Sequence, residues 1–378
     1  MSMNAYLDNS ATTQPCRQAV LAAREAMEEL YYNPSAAYGQ ALGVLNRVDQ
    51  ARRQALEALR APSGRVVFTS GGTESDQIAI CGAMWRRGAQ ACACSAVEHP
   101  AVLENIARFP HHIISVDGQG QIDLDAFEAF VKKTPELSLL SVMQVNNETG
   151  AMLPVEQMAR MVKAHTGALV HVDGVQGFLH QPPLALEHID LYSFSDHKIH
   201  ALKGVGGLWM KDGVRLAQVS FGGGQEGGLR SGTENTPGIF SLGAAIAQHD
   251  PKADLEQMAR LKLELYQGLM NLPVRVRVNG PDPQVSAPHI LNVSFDGVLA
   301  EVLLHALEGD GVCVSTGSAC AARRAHPSHV LLAMGLDAAR IRSAIRFSLS
   351  RYTTADEIHY TLDCLKKQLT VLSRFKRR

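Results

Sequence analysis

The sequence lacks the features typical of membrane-spanning, exported and nucleic-acid-binding proteins. None of its 378 positions begins a run of about 18 apolar residues. The N-terminal MSMNAYLDNSATT has no basic start before an apolar stretch. The 36 lysines and arginines balance 37 aspartates and glutamates, so no net field favours nucleic acid or an anionic membrane. We therefore expect a cytoplasmic protein whose partners are small molecules and other proteins.

Cysteine is scarce as well. The seven cysteines are an odd number, none is arranged as C-x-x-C, and the one close pair is Cys92 and Cys94. This pattern is typical of reduced thiols rather than of a disulfide framework or a zinc site. With 46% hydrophobic residues, the chain can bury a large core without metals or disulfides.

The distribution of apolar runs predicts an α/β fold. From residue 66 onward, short runs rich in branched residues alternate with longer helical patterns, which is typical of a mostly parallel sheet covered on both faces. Beyond about residue 250 the rhythm changes, and this change predicts a second, smaller α+β domain.

Polar segments follow the predicted strands, where ligands bind in sheets of this kind. TSGGTESD (69–76) places two glycines and Thr73 between a strand and a helix, where free backbone N–H groups favour an anion. An ordinary capped turn explains this segment about equally well. Asp173 follows an apolar strand, where a buried carboxylate needs a cation or several donors. A strand-end cap is again a comparable explanation.

A lysine completes the set. Lys198 in SFSDHKIHALKG follows another predicted strand and lies too close to the core for an idle surface charge, whereas Lys203, beside GVGG, is better explained as solvated. A lysine, an aspartate and a glycine-rich phosphate site together indicate pyridoxal 5'-phosphate, because its aldehyde, ring nitrogen and phosphate need these three groups.

From end to end, the chain resembles the cysteine desulfurases of the NifS/IscS type, in the class V aminotransferase family of pyridoxal-phosphate enzymes. The resemblance implies the pyridoxal-phosphate fold type I, with a mostly parallel seven-stranded sheet in a large domain at 13–250. A small α+β domain of residues 1–12 and 251–378 would carry the loop of the catalytic cysteine. The motifs follow the family's order and are YLDNSATT (6–13), SGGTESD, EHPAVL, VNNETG, HVDGVQ, SFSDHK, RSGTEN, NVSF, STGSAC and IRFSLSRYTT.

The resemblance also implies a homodimer that acts on L-cysteine. It assigns a role to each of the following site residues. Lys198 would bind the cofactor and act as a base, Asp173 would face the ring nitrogen, and His99 would stack on the ring. The other positions are Gln176 and Asn147 near the phenolic oxygen, Gly72, Thr73, Ser195 and His197 at the phosphate with Thr233 of a second subunit, and Asn33 and Arg346 at the substrate carboxylate.

Cys320 lies in VCVSTGSACAARRAHPS, among small residues and close to Arg323 and Arg324, a setting that favours an exposed thiolate. The resemblance implies that Cys320 takes sulfur from L-cysteine as a persulfide, leaving L-alanine. It would then pass the sulfur to an acceptor protein for iron–sulfur cluster assembly or tRNA thiolation. The other six cysteines are expected to pack in the core.

Two alternatives stay open. A selenocysteine lyase or cysteine lyase on the same fold would keep Lys198 and Asp173, and a non-catalytic sulfur-transfer scaffold would keep the fold alone. The segment SDHKIHALKG departs from the family's commonest pattern in two places. Asp196 stands where a small residue is usual and is expected to add negative charge near the phosphate, and HALKG replaces the frequent G-P-K-G.

Overall fold

The structure, a computed structural model, describes residues 4–88, 90–316 and 327–372. No helix in these ranges is long and apolar enough to cross a membrane. The β-strands of the described residues are β1 (Ala5–Tyr6), β2 (Arg65–Thr69), β3 (Ala91–Ser95), β4 (His111–Ile114), β5 (Leu137–Met143), β6 (Leu169–Asp173), β7 (Leu191–Ser195), β8 (Gly206–Met210), β9 (Val276–Val278), β10 (Ile290–Phe295), β11 (Val312–Cys313) and β12 (Ala344–Ser348). Their α-helices are α1 (Arg17–Glu28), α2 (Gly39–Ala58), α3 (Gly72–Arg87), α4 (Pro100–Ile106), α5 (Leu124–Lys133), α6 (Val155–His165), α7 (Thr236–Ala247), α8 (Pro251–Met270), α9 (Ala300–Gly309), α10 (His329–Ala333), α11 (Ala338–Arg342) and α12 (Ala355–Leu372).

The main sheet has seven strands in the order β2-β8-β7-β6-β5-β3-β4. Strand β8 is antiparallel to both β2 and β7, and the other neighbouring strands are parallel. Every residue of β5, β6 and β7 is buried, as expected for strands covered on both faces. The predicted mostly parallel seven-stranded sheet is confirmed.

The remaining strands form two small sheets. One has the antiparallel order β12-β10-β9, and the other pairs β1 with β11 in parallel. A second core cluster underlies these sheets and joins Ala5 and Leu7 of the N-terminal segment to apolar residues of 261–369. The N-terminal segment therefore packs with the C-terminal part of the chain.

The strand directions decide where the polar segments meet. Strands β2, β3, β5, β6 and β7 all end at one edge of the sheet, and β8 begins there because it runs the opposite way. At this edge a Cβ on Gly206 would lie 2.7 Å from the Gly71 Cα, so only glycine permits the close approach of the two chain segments. The edge therefore brings together residues that are far apart in sequence.

Candidate active site

Lys198 ends a short 3₁₀ turn, 196–198, directly after β7. Its ammonium group donates hydrogen bonds to two backbone oxygens of the N-terminal segment, Ser10 O at 2.5 Å and Ala11 O at 2.8 Å. The side chain is half-buried, as the sequence indicated. These carbonyls fix the position of the amine at the edge of the sheet.

Asp173 is the last residue of β6 and is 5% exposed. Its Oδ1 accepts a hydrogen bond from Val175 N at 2.9 Å. Burial raises the pKa of this carboxyl, while nearby His99 and Lys198 act to lower it. Asp173, His99 and Lys198 therefore form one electrostatic cluster, in which the carboxylate can accept a further N–H donor.

His99 caps the N-terminus of α4, where its Nδ1 accepts a hydrogen bond from Ala101 N at 3.1 Å. Burial lowers the pKa of His99, opposed by Asp173 and reinforced by Lys198 and His329. The imidazole is therefore neutral near pH 7, with its proton on Nε2. That N–H is available to a bound ligand.

Gln176 shares an acceptor with the lysine, since its Nε2 donates to Ser10 O at 3.0 Å. Its Oε1 lies 3.3 Å from Nε2 of the buried His289. Burial lowers the pKa of His289 to about 3, so the neutral ring donates Nε2–H and fixes the orientation of the amide. Ser10 and His289 were not predicted as site residues, although Ser10 lies within the motif YLDNSATT and His289 lies three positions before NVSF.

A cavity of about 360 Å³ adjoins this cluster and is called the phosphate cavity here. Thr73 and the first residues of α3 form one wall, so the free N–H groups of a 16-residue helix face it. Nδ1 of His197 lies 3.1 Å from Thr12 Oγ1, and burial, with Lys198 and Lys203, lowers the pKa of His197 to about 4. The lining residues are Ala11, Thr12, Ser70, Gly71, Gly72, Thr73, Glu74, Ser195, His197, Lys203 and Gly204.

The donors of this cavity fit a phosphate group. Hydroxyls, helix N–H groups and the exposed Lys203 face the same space, and its one carboxylate, Glu74, is engaged by Ser70 N and lies 3.5 Å from Arg230 Nε. A Cβ on Gly72 would meet the Val175 side chain at 2.6 Å, so glycine lets α3 begin against the turn that follows Asp173. Lys203, interpreted from sequence as an ordinary solvated lysine, lies at the cavity wall.

Arg346 in β12 is 2% exposed. Its Nη2 lies 2.7 Å from Asp8 Oδ1, and its Nη1 donates to the backbone oxygen of Asn147 at 2.8 Å. Nε is buried and makes no hydrogen bond to any described residue. The structure thus brings Asn147 to Arg346 through the backbone, and the predicted role of the Asn147 side chain stays a prediction.

Two predicted residues, Asn33 and Thr233, lie elsewhere in the structure. Asn33 is in an exposed turn, where its Oδ1 accepts a hydrogen bond from Ser35 N at 2.9 Å, and within the described ranges no hydrogen bond links it to Arg346. Thr233 is exposed. Cys320 lies outside the described residues.

Buried carboxyls surround the site. Burial raises the pKa of Glu98 to about 8 and that of Asp76 well above its usual range, and Asp173 raises both further. Asp196 is fully buried, and neither carboxyl oxygen makes a hydrogen bond within the described part of the chain. Burial raises the pKa of Asp196 well above its usual range and so opposes a negative charge at this position. Asp196 is not among the residues that line the phosphate cavity, and the expected negative charge near the phosphate stays a prediction.

Comparisons with known proteins identify the family of the chain. The aminotransferase class V family matches residues 5–361. A cysteine desulfurase of Cereibacter sphaeroides is 40% identical over 98% of this chain and 97% of its own length. A solved NifS-like protein has a TM-score of 0.90 at 33% identity, covering 98% of this chain and all of that one. SspA, solved in complex with cysteine, has a TM-score of 0.80 at 29% identity, over 93% of this chain and all of its own.

The chain belongs to the class V aminotransferase family and, within it, to the cysteine desulfurases of the NifS/IscS type. The resemblance inferred from the motifs and the predicted fold type are both confirmed.

Proposed function

We propose that the chain uses pyridoxal 5'-phosphate to remove sulfur from L-cysteine, giving L-alanine and a persulfide on Cys320. The observation that carries the proposal is the convergence of Lys198, Asp173 and His99 on one sheet edge, beside a cavity whose donors fit a phosphate. Relatives named cysteine desulfurase support the substrate.

Each part of the cofactor has a matching group in the chain. Lys198 would hold its aldehyde carbon, Asp173 would accept the N–H of its ring nitrogen, and His99 would lie against the ring. Gln176 would donate toward the phenolic oxygen. The phosphate would be held by Gly72, Thr73, Ser195 and His197, with Lys203 as an additional cation. When bound, the cofactor supplies an electrophile for the substrate amine and a protonated ring that withdraws electrons from the substrate carbons.

Three side chains carry out the substrate binding and proton transfers of the reaction. Arg346 binds the substrate carboxylate, because its guanidinium carries a permanent charge and two parallel donors. The Lys198 amine, once released by the substrate, accepts the proton from the substrate Cα. The neutral His99 holds a proton at Nε2 that it can give to, or recover from, the reacting groups.

Cys320 completes the reaction. Its thiolate attacks the sulfur of the substrate, so that the C–S bond breaks as the S–S bond forms. The electron pair of the C–S bond stays with the carbon fragment, which gains a proton and leaves as L-alanine. The balance is L-cysteine plus enzyme thiol giving L-alanine plus enzyme persulfide, without an external oxidant or reductant.

The chain would act as a homodimer and pass the persulfide sulfur to an acceptor protein, for iron–sulfur cluster assembly or tRNA thiolation. Gly232, Thr233 and Asn235 of the RSGTEN segment are exposed, and this supports the dimer because they lie open to a second subunit. The six cysteines of the described residues are free thiols, which supports action in a reducing compartment such as the cytoplasm. Five of them are buried, as expected for packing, and Cys313 is exposed.

The test is to incubate the purified protein with L-cysteine and to quantify both alanine and protein-bound persulfide. Wild type should form one persulfide on Cys320, identified by mass spectrometry after alkylation. Cys320→Ser should keep the bound cofactor and release no alanine above background. Cys313→Ser is the matched control, since Cys313 is an exposed thiol in the preceding strand. Wild-type alanine release by the Cys320 variant, or a persulfide on another cysteine, would contradict the proposal.

A further inference from the structure

Behind the turn that carries Lys198, polar side chains from four separate segments surround a small internal cavity, called the histidine cavity here. The segments are the turn after β6, the turn after β7, the end of α7 and the chain after β12. The residues that line it are Leu179, His180, Ile199, His200, His249, Met258 and Arg351.

Each polar side chain of the histidine cavity has one unpaired nitrogen. His180 Nδ1, His200 Nε2, His249 Nε2 and Arg351 Nε are buried, and none makes a hydrogen bond to a residue of the described chain. All four side chains are more than nine-tenths buried. Buried polar groups are almost always paired, so four such nitrogens around one cavity point to a shared ligand.

The other hydrogen bonds of His200 and His249 determine which hydrogen-bonding groups that ligand must have. His200 Nδ1 lies 2.9 Å from Gln14 O, and His249 Nδ1 lies 2.6 Å from Asp254 Oδ2. A carbonyl and a carboxylate only accept, so both histidines carry a proton on Nδ1. Burial lowers the pKa of His200 to about 4 and also lowers that of His249, so both rings are neutral near pH 7. Their Nε2 atoms therefore present lone pairs.

Arg351 presents a hydrogen-bond donor rather than an acceptor, because its Nε always carries a hydrogen. Its Nη1 donates to Gln248 O at 2.7 Å and its Nη2 donates to Tyr352 Oη at 2.9 Å, which leaves Nε–H for the cavity. The Asp254 carboxylate lies 3.7 Å from Nη1 and balances the charge of the guanidinium. The ligand must thus donate two hydrogen bonds, accept at least one and carry no net charge.

Size restricts the ligand further. The cavity measures about 10 Å³, room for a single molecule of the size of water. Within the ranges that the structure describes, no group of three His, Cys, Asp or Glu side chains is arranged to hold a metal ion.

We propose that the histidine cavity is a binding site for one water molecule, which donates to His200 Nε2 and His249 Nε2, accepts from Arg351 Nε–H and contacts His180 Nδ1. This water ties the turn that carries Lys198 to the chain after β12. His200 follows Lys198 by two positions and adopts a left-handed backbone with φ 68°, and Arg351 follows the strand of Arg346. The site is separate from the proposed reaction, because a water can occupy it whether or not the chain binds a cofactor.

The test is a high-resolution crystal structure of the purified protein, with a second crystal soaked in sodium bromide. We expect one density peak at roughly 2.7–3.2 Å from each of the four nitrogens and no anomalous signal from bromide at that position. An empty cavity would overturn the proposal. So would an anomalous bromide peak, which would identify an anion site, or an anomalous signal from a metal.

A variant adds a second readout. His200→Phe keeps a ring beside Tyr352, whose centroid lies 4.7 Å from that of His200, but removes the lone pair. We expect loss of the water peak and a lower midpoint of thermal unfolding than in His305→Phe, the control at an exposed histidine. A peak of unchanged occupancy in His200→Phe would contradict the proposed hydrogen bonding. If this variant does not fold, the two wild-type crystals still decide between water, anion, metal and an empty site.

Discussion

Arg346 Nη2 lies 2.7 Å from Asp8 Oδ1, although 338 positions separate the two residues in the sequence. The contact holds the guanidinium in a fixed plane, and the Asn147 backbone oxygen holds its other terminal nitrogen. Because Asp8 also pairs with Ser348 in an isolated β-bridge, the N-terminal segment and β12 position the arginine together. This arrangement presents a preorganised cation at the candidate active site.

We predict that Arg346→Lys lowers kcat/KM for L-cysteine by roughly thirty-fold, mainly by raising KM. Lysine keeps the charge but loses the planar pair of donors, and one hydrogen bond to a charged group contributes about 2 kcal/mol. Arg277→Lys is the matched control, because Arg277 makes a similar contact with Asp296 at the surface, 2.7 Å from Nη2 to Oδ2. Steady-state kinetics of alanine release measures both. Equal KM values in the two variants would contradict a substrate-binding role for Arg346.

Lys198→Ala is predicted to lose the visible absorption band of the bound cofactor and to lower turnover at least a thousand-fold, because the variant lacks the amine that holds the aldehyde and acts as base. Lys211→Ala, at a neighbouring strand end, should retain both. Spectra after dialysis with excess cofactor, together with alanine assays, measure the effect. Near wild-type turnover in Lys198→Ala would remove the lysine from the reaction.

For the phosphate, we predict that Thr233→Ala weakens cofactor affinity by about five-fold without changing the melting temperature of the apoprotein. Thr233 is exposed in the single chain, so its hydroxyl is open to a phosphate bound by a second subunit. Fluorescence titration with pyridoxal phosphate measures the affinity, and light scattering measures the oligomeric state. Unchanged affinity, or an active monomer, would contradict the shared site.

Much of this site was predictable from strand ends alone. Asp173 and Lys198 follow short apolar runs, and parallel strands place such residues at a common edge, so local pattern and topology agree. The change of rhythm near residue 250 coincides with the start of α8 at Pro251.

Other features were not accessible from the sequence. No element was predicted in 14–65, where α1 and α2 lie. Their buried faces consist largely of alanine, and several of their larger apolar residues are exposed. The pairing of Asp8 with Arg346 and that of Gln176 with His289 depend on contacts over more than 100 positions. The division of the chain at residue 250 stays a prediction.

Asp196 shows why charge cannot be inferred from composition. Next to His197 and Lys198, its carboxyl suggests a negative group beside the phosphate. The 3₁₀ turn instead directs it into the interior, where burial raises its pKa well above its usual range. Side-chain direction in a tight turn depends on one or two backbone angles that the neighbouring residue types do not specify.

The last prediction concerns Glu98, which is fully buried behind Asp173. Burial raises the pKa of Glu98 to about 8, although hydrogen bonds from Ser95 Oγ at 2.5 Å and Met143 N at 3.0 Å favour its ionised form. In the unfolded chain this carboxyl titrates near its ordinary value, about 4.3. Between these two values the folded state holds a proton that the unfolded state has lost.

We expect Glu98 to make the free energy of unfolding fall as pH rises. Stability changes with pH in proportion to the protons bound in the unfolded state minus those bound in the folded state, and for Glu98 this difference is negative. The free energy of unfolding therefore falls as pH rises from about 5 to about 7.5, by up to about 1.4 kcal/mol per pH unit. Above the folded pKa this contribution levels off, because both states are then ionised.

Glu98→Gln should remove this slope while preserving the fold, because its amide oxygen can still accept from Ser95 Oγ and Met143 N. Urea unfolding of wild type and variant at several pH values, under equal cofactor saturation, measures the difference. The variant should gain stability relative to wild type at each step toward pH 7.5. For Glu136→Gln, at an exposed position, the free energy of unfolding should change with pH as it does in wild type. Parallel curves for Glu98→Gln would mean that Glu98 is already ionised in the folded protein, stabilised by a partner that the structure does not provide.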